Sequence, residues 1–383
     1  MRKVKHARFG KKQPPCCDEG GMRRVLLGAI LAVGIAAPSS LAGTSFAADA
    51  APAPAASAAS ASGAEAAANN VDARWSTAPI SMGSFAGDIA MSPDGKRAYV
   101  AVADGIGVIE TASGKLVETF SSAAPGTGLG RIAVSPDGKR LYVADPGGIR
   151  IVDAFTGQLT ENVELDRDNY PLTLAISPDG HKLYVNASSL SGPSAVITVD
   201  TKTNQVSART SLAPLGVRDL SQISVSPDGS RVYINGGYGG VGVVDTSTNT
   251  LPVIPSVLPT FDGGGGIQVS PDGRHLYTYG NSEMGSDRIQ VIDTASEKVT
   301  AAIDTPSYVS NMVLSPDGKA LFAVTVRGEV LEINTGDNSV LETLETGPTF
   351  QSDAGMAVTP DGKHVYVFNY GVDERRVTAF TRQ

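Results

Sequence analysis

The sequence is poor in the residues that most often carry chemistry. Its 383 residues include two cysteines, four histidines and one tryptophan, and aromatic residues make up only 6% of the chain. Cys16 and Cys17 lie before a run of 13 apolar residues, so a protein cleaved after that run keeps no thiol for a disulfide or a metal site. His6 lies in the same segment. The sequence predicts no metal and no other cofactor.

Long hydrophobic runs are also scarce. Residues 25–37 form that apolar run of 13, which follows Arg23 and Arg24 and precedes small residues up to Ala47. The run is too short to span a bilayer as a helix and is typical of a secretory signal. We therefore predict a signal peptide over residues 1–47, with Met22 as an alternative start. The paired arginines also fit the twin-arginine route, but we favour the general secretory route.

This signal predicts a secreted, periplasmic or cell-surface protein. Residues 48–70 are rich in Ala, Pro and Ser and lack apolar periodicity, which is typical of a flexible linker. The net charge of −8 becomes −14 without residues 1–47, which hold eight Lys or Arg and two acids. Nucleic acids and anionic membranes are bound mainly through Lys and Arg, so this balance argues against both as partners. We predict a monomer without a transmembrane segment in its mature part.

Turn-forming residues, by contrast, are abundant, with 43 glycines and 23 prolines. They recur in the tetrad Ser-Pro-Asp-Gly, or Thr-Pro-Asp-Gly in the last copy, which starts at Ser92, Ser135, Ser177, Ser226, Ser270, Ser315 and Thr359. The starts are 43, 42, 49, 44, 45 and 44 residues apart, a period typical of four-stranded propeller blades. The sequence therefore predicts an all-β fold, a seven-bladed β-propeller of four-stranded antiparallel blades over residues 71–383.

Each copy contains the signals of successive strands. The tetrad predicts a tight turn between the first two strands, and the second strand carries an aromatic residue at one equivalent position. These aromatic residues are Tyr99, Tyr142, Tyr184, Tyr233, Tyr277, Phe322 and Tyr366. The last copy ends after its third strand. We therefore predict that residues 71–85 supply its outer strand and close the ring.

The repeat resembles a known family. Residues 135–144, Ser-Pro-Asp-Gly-Lys-Arg-Leu-Tyr-Val-Ala, followed by residues 149–153, Ile-Arg-Ile-Val-Asp, are similar to the YVTN-type β-propeller repeat of surface-layer proteins and of exported proteins of the YncE type. The resemblance extends over residues 85–383. It implies a propeller with a binding role at the cell surface or in the periplasm, including nucleic-acid binding in the YncE type, which the acidic composition disfavours.

Catalytic groups do not converge in the sequence. His181, His275 and His364 each follow a tetrad turn on a different blade, where we expect solvated side chains rather than a common site. The tetrad aspartates lie one per blade and are interpreted as turn formers. We therefore predict no catalytic residue and no metal ligand.

A ligand is expected at the mouth of the central channel, where propellers usually bind partners. Six polar residues fall where the first strand of a blade begins, and we predict that they contact a ligand. They are Asp88, Arg131, Thr173, Gln222, Asn311 and Asp353. Residues 187–194, 280–288 and 369–375 form the longest loops between the second and third strands, and Tyr238, Tyr279, Tyr308 and Tyr370 lie in or beside such loops as a possible aromatic contact surface.

Three functions remain open at this point. The favoured hypothesis is an exported binding or scaffold protein that recognises a protein, a glycan or a small molecule at the channel mouth. The second is a lactonase-like hydrolase or a lyase, which would need carboxylates at the mouth, where Asp88 and Asp353 are available. The third is a structural component of the cell envelope.

Overall fold

The computed structural model describes residues 74–83, 86–121, 130–166, 168–215, 222–236, 240–251, 253–254, 265–280, 287–346, 355–370 and 375–383. The predicted signal peptide and linker lie outside these residues. The described strands form seven four-stranded antiparallel sheets, and one short 3-10 helix spans Ala213–Leu215. The seven-bladed all-β propeller predicted from the repeats is therefore confirmed.

Each blade follows the chain from its innermost to its outermost strand. Blades 1 and 2 contain β2 (Ala86–Met91), β3 (Arg97–Val102), β4 (Gly105–Glu110), β5 (Lys115–Ser121), β6 (Ile132–Val134), β7 (Arg140–Asp145), β8 (Gly148–Asp153) and β9 (Leu159–Glu164). Blades 3 and 4 contain β10 (Asn169–Ile176), β11 (Lys182–Ser189), β12 (Ala195–Asp200), β13 (Gln205–Ser211), β14 (Ile223–Val225), β15 (Arg231–Asn235), β16 (Val241–Asp245) and β17 (Val253–Ile254).

The remaining blades complete the ring. Blades 5 and 6 contain β18 (Ile267–Val269), β19 (His275–Tyr279), β20 (Arg288–Asp293), β21 (Lys298–Asp304), β22 (Val309–Leu314), β23 (Ala320–Thr325), β24 (Glu329–Asn334) and β25 (Val340–Glu345). Blade 7 contains β26 (Met356–Val358), β27 (His364–Tyr370) and β28 (Arg375–Arg382), and its outer strand is β1 (Trp75–Ser81). Each innermost strand contacts the innermost strand of the next blade, and β26 contacts β2, so the ring is closed.

The tetrad turns have the conformation that their residues predict. Every tetrad glycine has a positive φ, between 67° and 72°, which glycine adopts without a steric penalty. In the first copy Oδ1 of Asp94 accepts hydrogen bonds from the Ser92 hydroxyl at 2.7 Å and from the Lys96 backbone N–H at 3.0 Å. Equivalent bonds form in all seven copies. The tetrad aspartates are therefore turn formers, as predicted.

Stacking of the blades buries the aromatic residues of the second strands. All seven of these side chains are at most 2% exposed. The Tyr99 hydroxyl donates to the Ala154 carbonyl of the next blade at 3.0 Å, so a polar bond supplements apolar packing between blades. Outer strands such as β5 and β9 expose most of their residues. Burial of both blade faces is thus strongest in the inner three strands.

The N-terminal strand closes blade 7 as predicted. β1 pairs antiparallel with β28 from Trp75 opposite Arg382 to Ser81 opposite Arg376. Its first residue also reaches blade 6, where Trp75 Nε1 donates to Glu332 at 2.9 Å and its ring meets Phe322 edge-on at 5.7 Å. β1 and β28 are therefore fixed to the neighbouring blade as well as to each other.

Glu332 departs from the repeat pattern at this junction. It lies opposite Phe322 on β24 and has no exposed surface, whereas the equivalent positions of the other blades are uncharged. Those positions are Val108, Ile151, Thr198, Val243, Val291 and Ala379. The carboxylate pairs with Arg382 and lies 3.5 Å from Arg74, while the Arg382 guanidinium also stacks over the Trp75 ring at 4.8 Å. A buried charge is tolerated here because two guanidinium groups and an indole N–H surround it.

We expect Glu332→Gln to lower the free energy of unfolding by about 3 kcal/mol, because removing one partner leaves Arg382 partly buried without its carboxylate. Urea denaturation monitored by Trp75 fluorescence measures the change. Glu345→Gln, at an exposed position of the adjacent strand β25, is the matched control and should change stability by less than about 0.5 kcal/mol. Equal effects of the two substitutions would contradict the assignment.

Hydrogen bonds to the tetrad carboxylates predict sensitivity to acid. Hydrogen bonds lower the pKa of Asp228 from its ordinary value of 3.8 to about 2, and the hydrogen bond from the Ser226 hydroxyl contributes most to this shift. A carboxyl whose pKa is lower in the folded state stabilises the fold above its ordinary pKa and loses that contribution as the pH falls. We therefore expect wild-type stability to fall between pH 5 and pH 3, as measured by urea denaturation, and to fall less for Asp228→Asn. Asp104→Asn, in an exposed turn, should retain the wild-type slope, and a wild type equally stable at both pH values would contradict this account.

Candidate binding site at the channel mouth

Five of the six predicted contact residues occupy one register position. Asp88, Thr173 and Asn311 lie opposite Ala101, Asn186 and Val324 of the neighbouring strand, and the Arg131 carbonyl accepts the Ala144 N–H at 2.8 Å. Gln222 directly precedes β14, at the same place in blade 4. Glycine takes this position in blade 5 and blade 7, as Gly266 and Gly355. Asp353 lies outside the described residues, and the register assigns its place to Gly355.

Asp88 and Arg131 form a pair between blades 1 and 2. Arg131 Nη1 lies 3.8 Å from Asp88 Oδ1, and the Ile132 N–H donates to Asp88 Oδ2 at 3.1 Å. Both side chains are largely buried, with exposures of 15% and 17%. The pair fixes the carboxylate and leaves this part of the mouth without net charge.

Gln222 and Asn311 come together although a whole blade lies between them in the ring. Gln222 Nε2 donates to Asn311 Oδ1 at 3.2 Å. The blade between them carries Gly266 at the same register position, so no side chain separates the two amides. The structure thus groups the predicted residues into two pairs, and Thr173 is a separate, buried member of the same ring.

Tyr279 is not the contact residue that the sequence suggested. It is 5% exposed, and its hydroxyl donates to the Ser310 carbonyl at 2.7 Å. A Cβ on Gly266 would lie only 2.1 Å from the Tyr279 ring, so this ring fills the space that a side chain would take. The prediction was wrong because it considered loop position and not the cross-strand glycine. Tyr238 and the side chain of Tyr370 lie outside the described residues, and Tyr308 is partly buried.

A cavity of about 450 Å³ lies between blades 1 and 2, and its described wall comes mainly from the second, third and outermost strands of the two blades and from the turns beside them. Ala101 and Ala144, which oppose Asp88 and Arg131 in register, are part of its wall. Most of the other wall residues are small or apolar: Val102, Ala103, Gly105, Ile106, Phe120, Gly130, Val143, Val152, Gly157 and Leu159. The volume is in the range of pockets that hold small ligands.

Two short turns explain why the space is open at this junction. β3 and β4 are joined by residues 103–104, and β7 and β8 by residues 146–147, whereas the corresponding connections of the other blades have three to eight residues. Both turns end in a glycine with a φ near 150°, Gly105 at 153° and Gly148 at 144°. A Cβ on either would lie about 2 Å from a carbonyl oxygen of the adjacent strand, at 1.9 and 2.1 Å. Glycine at these two positions therefore lets each short turn lie close to the adjacent outer strand, and neither turn covers the cavity.

An ion pair lines this cavity. Arg150 Nη2 lies 2.7 Å from Asp145 Oδ2, and the two side chains are 14% and 15% exposed. Arg150 lies opposite Val143, at a position that is uncharged in every other blade. The equivalent residues are Gly107, Ile197, Gly242, Gln290, Leu331 and Thr378. Sequence reasoning missed Arg150, although aligning the seven repeats by strand would have shown this departure.

The histidines do not form a site in the described part of the chain. His181 is exposed and lies 3.2 Å from Asp179, while His364 Nδ1 and the Thr381 hydroxyl are 3.0 Å apart. No group of three or more His, Cys, Asp or Glu side chains that could hold a metal occurs among the described residues. In the same residues, no helix is both long and apolar enough to cross a membrane.

Comparison with known proteins supports the fold. No protein-family model and no curated protein matches this sequence. Among solved structures, the chain is similar to hydrazine synthase of Kuenenia stuttgartiensis, with a TM-score of 0.62, 18% identity, and coverage of 79% of this chain and 96% of that one. At this identity the likeness shows a shared β-propeller fold alone. As many as 1822 solved chains match, so the fold does not discriminate between functions.

Proposed function

We propose that this protein is an exported binding module that recognises a small molecule, or a small part of a larger partner, in the cavity between blades 1 and 2, outside the ring of channel-mouth residues. The observation that carries the proposal is the cavity of about 450 Å³ between blades 1 and 2. Its wall combines apolar side chains with one ion pair. A mostly apolar wall with a few polar groups is typical of sites that bind small molecules. Protein and glycan partners are the less favoured alternatives, because four of the described mouth residues are already paired, Asp88 with Arg131 and Gln222 with Asn311.

Binding is favoured over hydrolysis for a chemical reason. Asp88 is the one carboxylate at the described mouth positions, and it is already held by Arg131 and a backbone N–H. A hydrolase or lyase would need a second group to act as acid, base or metal ligand within reach. The described neighbourhood of Asp88 offers Arg131, whose guanidinium group donates hydrogen bonds and has no acceptor, so it does not supply a base.

The resemblance of the repeats to the YVTN type supports the same conclusion. It covers residues 85–383 and is carried by the tetrad, the buried tyrosine and the Asp ending of the third strand. We infer membership of that broad group from the repeat pattern. Its usual role, binding outside the cytoplasm, agrees with the signal peptide predicted over residues 1–47.

Filling the cavity should abolish ligand binding. We expect ligands that raise the thermal midpoint of the wild type in a library screen to leave Ala103→Leu unchanged, because Ala103 lines the cavity from a turn where a larger side chain can enter it. Ser113→Leu, in the exposed turn between β4 and β5, is the matched control and should respond as the wild type does. Equal ligand-induced shifts in both variants would contradict the location of the site.

Export has its own test. We expect the full-length chain, expressed in a bacterium, to appear outside the cytoplasm with a new N-terminus close to Ala48, because the residues up to Ala47 have a signal-peptide pattern. N-terminal sequencing of the extracytoplasmic protein checks this. An intact chain that remains in the cytoplasm would contradict the proposal of export while leaving the binding site untouched.

A further inference from the structure

We propose that the cavity between blades 1 and 2 selects an uncharged ligand with an apolar body and one hydrogen-bonding edge. This inference rests on the proposed function, since it names the ligand class of the same site. Of the described residues that line the cavity, two are charged, Asp145 and Arg150, and they pair at 2.7 Å. The described part of the cavity wall therefore has no net charge.

The pair is built to stay together. Asp145 Oδ1 accepts the Gly147 backbone N–H at 3.1 Å, and Oδ2 accepts from Arg150. The first bond belongs to the tight turn between β7 and β8, so the carboxylate is fixed by backbone before any ligand arrives. The Arg150 guanidinium is oriented in turn by this fixed carboxylate.

A charged ligand would disturb this balance. Both partners are about 15% exposed, so water can compensate little of an additional charge. An anion would be attracted by Arg150 but repelled by Asp145. A cation would be attracted by Asp145 but repelled by Arg150. Since an uncompensated charge in a poorly solvated site is unfavourable, an uncharged ligand avoids a cost that either ion incurs.

The rest of the wall fits an uncharged molecule with two kinds of surface. The side chains of Ile106, Phe120 and Val152 are apolar and at most 7% exposed, and they offer contact area for an apolar body. Ser121 and Gln158 add groups that can hydrogen-bond without charge, and the ion pair presents a polar edge of its own. An amide or hydroxyl group on the ligand can use this edge without breaking the pair.

Three probes of similar size that share a phenyl ring test the ligand class: benzamide, benzoate and benzylammonium. Ligand-observed NMR at pH 7 with millimolar probe measures their affinities for the full folded protein. We expect benzamide to bind about tenfold more tightly than either ion, a ratio equivalent to about 1.4 kcal/mol. The Ala103→Leu variant should lose benzamide binding.

Two substitutions should reverse the preference. Asp145→Asn keeps an oxygen for the Gly147 N–H but removes the negative charge of the pair, so the described wall becomes net positive and benzoate should become the preferred probe. Arg150→Gln removes the positive charge, so benzylammonium should gain. Asp166→Asn, which removes a carboxylate from an exposed ion pair on blade 3, is the control and should keep the wild-type order.

The outcomes separate this inference from the function on which it rests. If benzoate or benzylammonium binds the wild type as tightly as benzamide, and Ala103→Leu blocks that binding, the cavity is a ligand site but the ligand class is wrong. If no probe binds, or if Ala103→Leu leaves binding unchanged, both the ligand class and the proposed site are contradicted. Circular dichroism spectra of the variants establish that each retains the β fold.

Discussion

Burial of both faces of every blade is the constraint on which this molecule depends. A four-stranded antiparallel sheet of this composition has apolar residues on its two faces, and one sheet cannot cover both. Seven blades solve this by stacking in a closed ring, in which the aromatic residue of each second strand is buried against the next blade. β26 contacts β2 to close the ring, and β1 adds the missing outer strand of blade 7, from which Trp75 reaches Glu332 of blade 6.

Repetition makes departures from the repeat informative. Each blade solves the same packing problem, so a charge at a position that is uncharged in the other blades must answer a local need. Glu332 meets such a need at the junction of blades 6 and 7, where Arg74, Trp75 and Arg382 surround it. Asp145 and Arg150 are further departures, and this pair lines the cavity between blades 1 and 2. The first charge serves closure, and the pair defines the candidate binding site.

Much of the fold could be predicted from the sequence because its signals are local and occur seven times. The Ser-Pro-Asp-Gly turns, the buried aromatic positions and the missing last strand were all visible in the chain. Asp88, Arg131, Gln222 and Asn311 were correctly placed at one level of the ring by the same register. Their pairing was not predictable from one strand, because Gln222 reaches Asn311 only across Gly266. The cavity was not predicted, because it depends on two short turns that are neighbours in the ring, whereas the expected contacts lay in the longest loops.

Closure by β1 is tested most directly by a designed disulfide between Ala78 and Ala379, which face each other in the register of β1 and β28. In a chain with Cys16 and Cys17 replaced by serine, the Ala78→Cys/Ala379→Cys protein should oxidise to a single intramolecular disulfide, detected by mass spectrometry after proteolysis. The shifted pair Ala78→Cys/Phe380→Cys should not, because a shift of one residue moves the partner to the other face. Absence of the disulfide in the matched pair, or equal oxidation of both pairs, would contradict the closed ring described above.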